Sequence, residues 1–368
     1  VPALIRSIEE RFAQSDAGLG AYYLVVAVFY GAGSLGGGFL TERAGRRVVL
    51  SGSAILVGIG LALQAIAPSW LLFVAAGIPA GIGTGAIDGG MNGLVLTVSR
   101  RRPAGAMNAL HLFFSVGALA SPFVVGRLVA GGVPWEDVLI ATAAAAVVIG
   151  ALLLTQSIPS GRPLARRSAS SSAEPTGRDS RALRSALPLI ALAASIATYV
   201  ASEIGVSSWL VRFLASATLE TATTALAIFW GGLTLGRLLV IRVADRLPPV
   251  VFAAACAIAA GLALVAAVLV PDTTASIVLF GLVGLAYGPI YPLIMTVAGA
   301  LYPRRLAAIT GTLAASAVIG GVVYPPLIGL LSDSIGIAAG LLGGAGLSLV
   351  CAVTLVGAWV SARSFARS

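Results

Sequence analysis

Residues 29–36 read Phe29-Tyr30-Gly31-Ala32-Gly33-Ser34-Leu35-Gly36. At an offset of 200 the chain reads Phe229-Trp230-Gly231-Gly232-Leu233-Thr234-Leu235-Gly236. Farther along, Gly117, Pro122 and Gly126 recur as Gly320, Pro325 and Gly329, at an offset of 203. Each copy sits inside a long apolar run. Two parallel copies of one hydrophobic helical unit point to a polytopic membrane protein whose solute site can be opened to either side by rocking one copy against the other.

Composition restricts the alternatives. Hydrophobic residues make up 58% of the 368-residue chain and charged residues only 10%, with a mean hydropathy of +1.00. A soluble domain cannot hold that much apolar surface, so the partner implied is a lipid bilayer. The net charge of +9 comes from 23 basic residues, all of them arginine. They fall in the short gaps between apolar runs, where they act as topology signals, so no nucleic-acid partner is implied. Cys256 and Cys351 lie inside apolar runs and read as core residues. The single histidine, His111, cannot build a metal site alone, and neither a metal nor a cofactor is expected. No nucleophile–base pair stands out, which argues against an enzyme. No connection exceeds about 30 residues, too short for the soluble signalling domain that a membrane sensor would append.

Eleven spans can be drawn, at 18–41, 48–67, 70–98, 104–130, 136–158, 185–212, 221–243, 249–270, 274–300, 306–331 and 336–361. The opening residues Val1 to Ile5 read as the last turn of a further, mostly missing first helix, and not as a signal peptide. With that helix restored the plan is six spans plus six. The expected division is an N-terminal bundle at 1–158, a Ser-, Arg- and Pro-rich solvated linker at 159–184, and a C-terminal bundle at 185–368. Arginine is asymmetric about the spans. One set of connections holds Arg43, Arg46 and Arg47, Arg100 to Arg102, the run from Arg162 to Arg184, Arg242 and Arg246, Arg304 and Arg305, and Arg363 and Arg367. The other set holds Arg6, Arg11, Arg127 and Arg212. The first set, including the central linker and the C-terminus, is expected to be cytoplasmic, in the inner membrane of a bacterium.

The first arginine-rich connection carries Gly38-Phe39-Leu40-Thr41-Glu42-Arg43-Ala44-Gly45-Arg46-Arg47. A carboxylate at a helix end can pair with arginine and with a facing helix N-terminus, so this segment reads as a conformational latch. Asp245-Arg246 is its reduced second copy. Gly38, Glu42, Arg43, Gly45, Arg46 and Arg47 resemble the signature of the major facilitator superfamily, which implies a fold of two six-helix bundles.

Charged and polar groups inside spans are costly and therefore functional candidates. Asp88 lies deep in 70–98 and Glu203 in 185–212. Asp88 and Asn92 share a helix face, as do Asn108, His111 and Ser115, Tyr199 and Glu203, and Tyr287 and Tyr291. Trp209 follows Tyr199, and Trp230 sits at the repeated aromatic position. Pro289 and Pro292 should break or bend their helix. Arg237, also within a span, is expected to snorkel toward the cytoplasm or to join the latch. Amides with aromatic faces suit a sugar, and a carboxylate in a dry pocket can exchange protons near physiological pH. Interhelical packing remains an alternative role for each of these polar and aromatic residues.

Four stretches then resemble the fucose–galactose–glucose:proton symporter family. They are Gly81-Ile82-Gly83-Thr84-Gly85-Ala86-Ile87-Asp88-Gly89-Gly90-Met91-Asn92; Met107-Asn108-Ala109-Leu110-His111 with Gly117 and Pro122; Tyr199 to Glu203 through Trp209; and Gly288-Pro289-Ile290-Tyr291-Pro292. The resemblance implies proton coupling at Asp88, where the family more often has Glu. It also implies a sugar-binding amide in the fifth helix. The expectation is thus a monomeric, proton-coupled carrier of a small polar solute, a monosaccharide by class. Asp88 and Glu203 would serve coupling. Asn92, Asn108, His111, Tyr199, Trp209, Trp230, Tyr287 and Tyr291 would line the solute. Proton-driven efflux of a drug or metabolite, and a transporter-like sensor, are the alternatives.

Overall fold

The computed structural model describes residues 2–98, 103–158, 180–243, 247–302 and 306–367. After a 3-10 turn at Pro2–Leu4 come α1 (Ile5–Phe12), α2 (Asp16–Ala44), α3 (Arg46–Ala65), α4 (Trp70–Val98), α5 (Pro103–Ala130), α6 (Trp135–Thr155), α7 (Ser180–Phe213), α8 (Leu219–Val243), α9 (Pro249–Leu269), α10 (Thr273–Tyr287), α11 (Ile290–Leu301), α12 (Leu306–Ile335) and α13 (Ile337–Arg367). Among the described residues, eleven segments are long and apolar enough to cross a membrane. Their outer faces are apolar as well: Leu71 is 77% exposed and Phe113 78%, surface that only lipid solvates at low cost. The protein is an all-α polytopic membrane protein.

The single span expected at 274–300 is two helices, α10 and α11, which meet at Gly288-Pro289. Pro289 and Pro292 have no N–H to give, so the carbonyls four residues before them lose their helical donors. The chain recovers at once, with Leu293 N–H donating to the Pro289 carbonyl at 3.1 Å.

The chain forms two compact units. One comprises 1–20, 115–127 and 177–368, the other 21–114 and 128–176. In the second, α3 packs on α4 and α6; in the first, α9 packs on α10 and α13 in the same pattern. The match extends to single glycines. In the second unit α2 crosses α4 so closely that a Cβ on Gly33 would meet the Ile82 carbonyl oxygen at 2.2 Å, one on Gly37 the Ala86 Cα at 2.6 Å, and one on Gly85 the Tyr30 oxygen at 1.9 Å. In the first unit α8 crosses α10 with Gly232 against Gly281 at 2.1 Å, Gly236 against Leu285 at 2.2 Å and Gly284 against Phe229 at 2.0 Å. Each contact in one unit maps onto the other at an offset of 199. The aromatic match at 200 is therefore out of register by one. Side-chain identity suggested 200, but the backbone crossing requires glycine where two helices touch, and those glycines are spaced by 199.

The first turn of α2 is fixed within the first unit. Asp333, in the last turn of α12, accepts the N–H groups of Asp16 and Ala17 at 3.0 Å each. The Asp16 carboxylate accepts from the Ser332 hydroxyl and from Arg212 Nε at 2.9 Å. Arg212 also reaches Glu9 at 3.1 Å. Arg6 donates to the Ala217 carbonyl at 2.8 Å, which ties α1 to the turn between α7 and α8.

Candidate functional site

In the first unit, α7 places Tyr199 and Glu203 one helical turn apart, facing α8 and α5. The Glu203 side chain is 7% exposed and Arg237 Nη2 lies 3.8 Å from its Oε1. Arg237 Nη1 donates to the Ser115 hydroxyl at 3.0 Å. The guanidinium thus stands among three helices, inside the apolar segment Leu219–Leu239. Among the described residues its partners are Glu203 and Ser115; the latch residues Glu42, Asp245 and Arg246, its expected partners if it does not snorkel, offer no described side chain. Cα–Cβ bonds lean toward a helix's N-terminus, so a long side chain at position 237 extends back along α8 toward its middle, where Glu203 offers the opposite charge. The Tyr199 hydroxyl is buried beside both charges and makes no hydrogen bond of good geometry among the described residues.

Behind this cluster is a second, closed one. Tyr199 meets Tyr287 edge to face, with ring centres 5.7 Å apart. The Tyr287 hydroxyl bonds Ser202 and lies 3.0 Å from Ser348 Oγ, while Ser202 donates to the Gly344 carbonyl at 2.8 Å. Tyr287 is fully enclosed. Trp209 is also fully enclosed, with its indole N–H given to the Pro325 carbonyl at 2.9 Å. Trp230 is buried two turns before Arg237 on α8, edge to face with Phe229 at 5.7 Å. Tyr291, in the first turn of α11, is half-buried.

In the second unit, Asp88 accepts a hydrogen bond from the Tyr30 hydroxyl at 2.8 Å. Asp88 is half-buried, so its carboxylate is held by α2 without being sealed from solvent. The side chains of Asn92, Asn108 and His111 lie outside the described residues. So do the Glu42 side chain, the surroundings of Gly38, and both Asp245 and Arg246. Of the latch, Gly45 joins α2 to α3 at φ +84°, a conformation that a Cβ disfavours and that accounts for the glycine. Arg46 opens α3, while Arg43 and Arg47 are exposed at this corner.

Sequence reading missed Arg237 and Tyr30 as partners of the two carboxylates, and Ser115 as the acceptor for Arg237. One signal was present: in the 199 register Arg237 corresponds to Gly38, so the second copy carries a cation where the first has glycine. It also missed the Asp16–Arg212–Asp333 cluster, since those residues lie at helix ends, where charge is common.

The family model described as Major Facilitator Superfamily matches residues 1–298 and 191–367. No curated protein sequence matches the chain. Among solved structures the chain is similar to a bacterial homologue of the human lysosomal transporter Spinster, inward-facing and unoccupied, with 18% identity, a TM-score of 0.71, and coverage of 100% of this chain and 93% of that one. The occupied form of that homologue gives 17% identity, a TM-score of 0.70, and coverage of 100% and 92%. The E. coli fucose:proton symporter FucP gives 17% identity, a TM-score of 0.62, and coverage of 97% and 93%. Likeness at these identities establishes the fold.

Proposed function

The chain belongs to the major facilitator superfamily and is a membrane transporter, and from that premise we propose that it moves a small polar solute, a monosaccharide by class, by alternating access coupled to protons. Glu203 is the observation that carries this reading. A carboxylate 7% exposed, inside a membrane segment and 3.8 Å from an arginine, is costly to keep unless the charge is used. Protonation frees Arg237, and deprotonation draws it back, so the ion pair can differ between the two access states. Asp88 is a second coupling candidate, and its hydrogen bond from Tyr30 gives it a partner that tolerates either protonation state. Tyr199 supplies an aromatic face beside Arg237, and Trp230 lies two turns before it on α8. A fucose:proton symporter of the same fold supports the substrate class. The protein acts as a monomer in a bacterial inner membrane, with its arginine-rich connections cytoplasmic.

The test is uptake by proteoliposomes under an imposed inward proton gradient, with labelled hexoses and deoxyhexoses. Proton-driven accumulation that is lost in Glu203→Gln or Asp88→Asn supports the reading. A solute that leaves the vesicles in exchange for protons would overturn import and establish efflux. Uptake indifferent to the gradient in the parent protein would remove the coupling.

A further inference from the structure

We propose that Arg237 is a carboxylate-recognition site, and that the solute carries a carboxylate which replaces Glu203 on its guanidinium. The inference rests on the proton-coupled reading above and deepens it to a substrate class of small organic acids, sugar acids included.

Three observations converge. First, the pairing of Arg237 is incomplete. A guanidinium has five N–H donors in a planar fork. Among the described residues it gives one hydrogen bond, to Ser115 at 3.0 Å. Its contact with Glu203 is a single N–O approach at 3.8 Å, beyond hydrogen-bonding distance. Second, exposure is uneven: the Arg237 side chain is 26% exposed and Glu203 only 7%. The open side of the pair is the cation. Third, the Tyr199 hydroxyl is buried beside both Arg237 and Glu203 yet makes no hydrogen bond of good geometry among the described residues. Buried hydroxyls are rarely left so, which points to a group that arrives with the solute. A carboxylate docked two-pronged on the guanidinium would use donors that Glu203 leaves idle, and one of its oxygens can accept from Tyr199.

The exchange also supplies a coupling rule. Glu203 would then stand in an apolar segment without its cation, and an unpaired buried charge is expensive enough that the group takes up a proton instead. One solute anion binding at Arg237 and one proton binding at Glu203 leave the site's net charge unchanged. The groups facing Glu203 permit this. They are Arg237 from α8, Tyr199 on its own helix and Tyr287 from α10. Tyr324 of α12 and Cys351 of α13 stand behind Tyr287. Arg6 and Glu9 of α1 lie at the far, Arg212 end of α7. Arg237 is therefore the one cation beside Glu203 among these.

The test uses the full chain in proteoliposomes, with gluconate, glucuronate and lactate against glucose and fucose. The expected result is gradient-driven uptake of a carboxylate solute that does not respond to a potassium–valinomycin potential. Arg237→Gln should reduce it at least tenfold, and Arg237→Lys should raise KM more than it lowers kcat. Glu203→Gln should keep solute exchange across the membrane but lose gradient-driven accumulation. Where the single variants fail to fold, the double variant Arg237→Gln/Glu203→Gln removes both charges together, and it too should lose uptake of the acid. Proton-coupled uptake of glucose or fucose with an unchanged KM in Arg237→Gln would overturn the inference and leave the function proposed above standing. Coupled movement of none of the five solutes would overturn both.

Discussion

Asp333 and Asp16 are joined backbone to side chain: the Asp333 carboxylate accepts the Asp16 N–H at 3.0 Å and the neighbouring Ala17 N–H at the same distance. A carboxylate at a helix N-terminus satisfies orphan donors and meets the positive end of the helix dipole. Replacing Asp333 with Ala should therefore cost about 1–2 kcal/mol of stability. Arg212→Ala should cost more, about 3–5 kcal/mol, because Asp16 is only 7% exposed and would lose its cation. In the double variant Arg212→Ala/Asp16→Asn the loss should be well below the sum of the single losses, the mark of a shared contact. Thermal unfolding in detergent, followed by tryptophan fluorescence, reads Asp333→Ala, the single variants Arg212→Ala and Asp16→Asn, and the double variant. Additive losses would show that Asp16 and Arg212 do not act as a pair.

Much of this was written in the chain. Ten of the eleven spans emerge within a few residues of where hydropathy and arginine place them, and the break in the eleventh follows from Pro289. Those features depend on average composition or on one proline. The partners of Glu203 and Asp88 depend instead on which faces of α5, α8 and α2 turn inward, and in a helix that is apolar on every side the sequence carries little information about facing. Arg237 was visible as a charge in a span, but its direction required the helix axis of α8. The one-residue error in the repeat has the same origin, since Phe29 and Phe229 match in kind while the contacts are made by Gly33 and Gly232.

Glu9 gives a pH signature outside the membrane. Burial pushes its carboxyl above the usual carboxylate range, and Arg212 opposes that shift without cancelling it. Between the unfolded and folded values the native state binds more protons than the unfolded chain. This contribution to stability is full below the ordinary carboxylate range and is lost as pH rises through the folded value. Glu9→Gln removes the titration. The difference in melting temperature, variant minus parent, should accordingly be larger at pH 7 than at pH 4. A difference that does not change with pH would show that Glu9 does not titrate in this window.

The close helix crossings predict a sharp contrast among glycines. A Cβ at position 85 would meet the Tyr30 oxygen at 1.9 Å, and one at 284 the Phe229 oxygen at 2.0 Å, so in both cases the obstacle is backbone. The helices would have to separate, giving up packing along the α2–α4 or α8–α10 seam. Gly85→Ala and Gly284→Ala should each lower the yield of folded protein and destabilise it by roughly 1–3 kcal/mol. At Gly31 and Gly36 nothing lies within 4 Å of such a Cβ. There alanine should be neutral or slightly stabilising through its better helix propensity. Size-exclusion profiles and melting temperatures of the four variants compare them directly, and equal behaviour would remove the role assigned to the crossings.

Tyr287 and Tyr199 touch edge to face at 5.7 Å, yet their hydroxyls should respond oppositely to deletion. The Tyr287 hydroxyl is engaged by Ser202 and Ser348 in a sealed interior. Tyr287→Phe removes one hydrogen bond from Ser202 and from Ser348, which keep the Gly344 carbonyl as acceptor, and should cost about 1 kcal/mol, with little change in solute affinity because the group is not accessible. Tyr199 carries a buried hydroxyl beside Glu203 and Arg237 with no hydrogen bond of good geometry among the described residues. Removing an unsatisfied polar group relieves a desolvation penalty, so Tyr199→Phe should leave the melting temperature unchanged or raise it. Its cost should fall on the solute, as a several-fold increase in KM if that hydroxyl completes the Arg237 site. Melting curves and uptake kinetics on the two variants separate the roles. A destabilised Tyr199→Phe with unaltered KM would assign its hydroxyl to the helix packing.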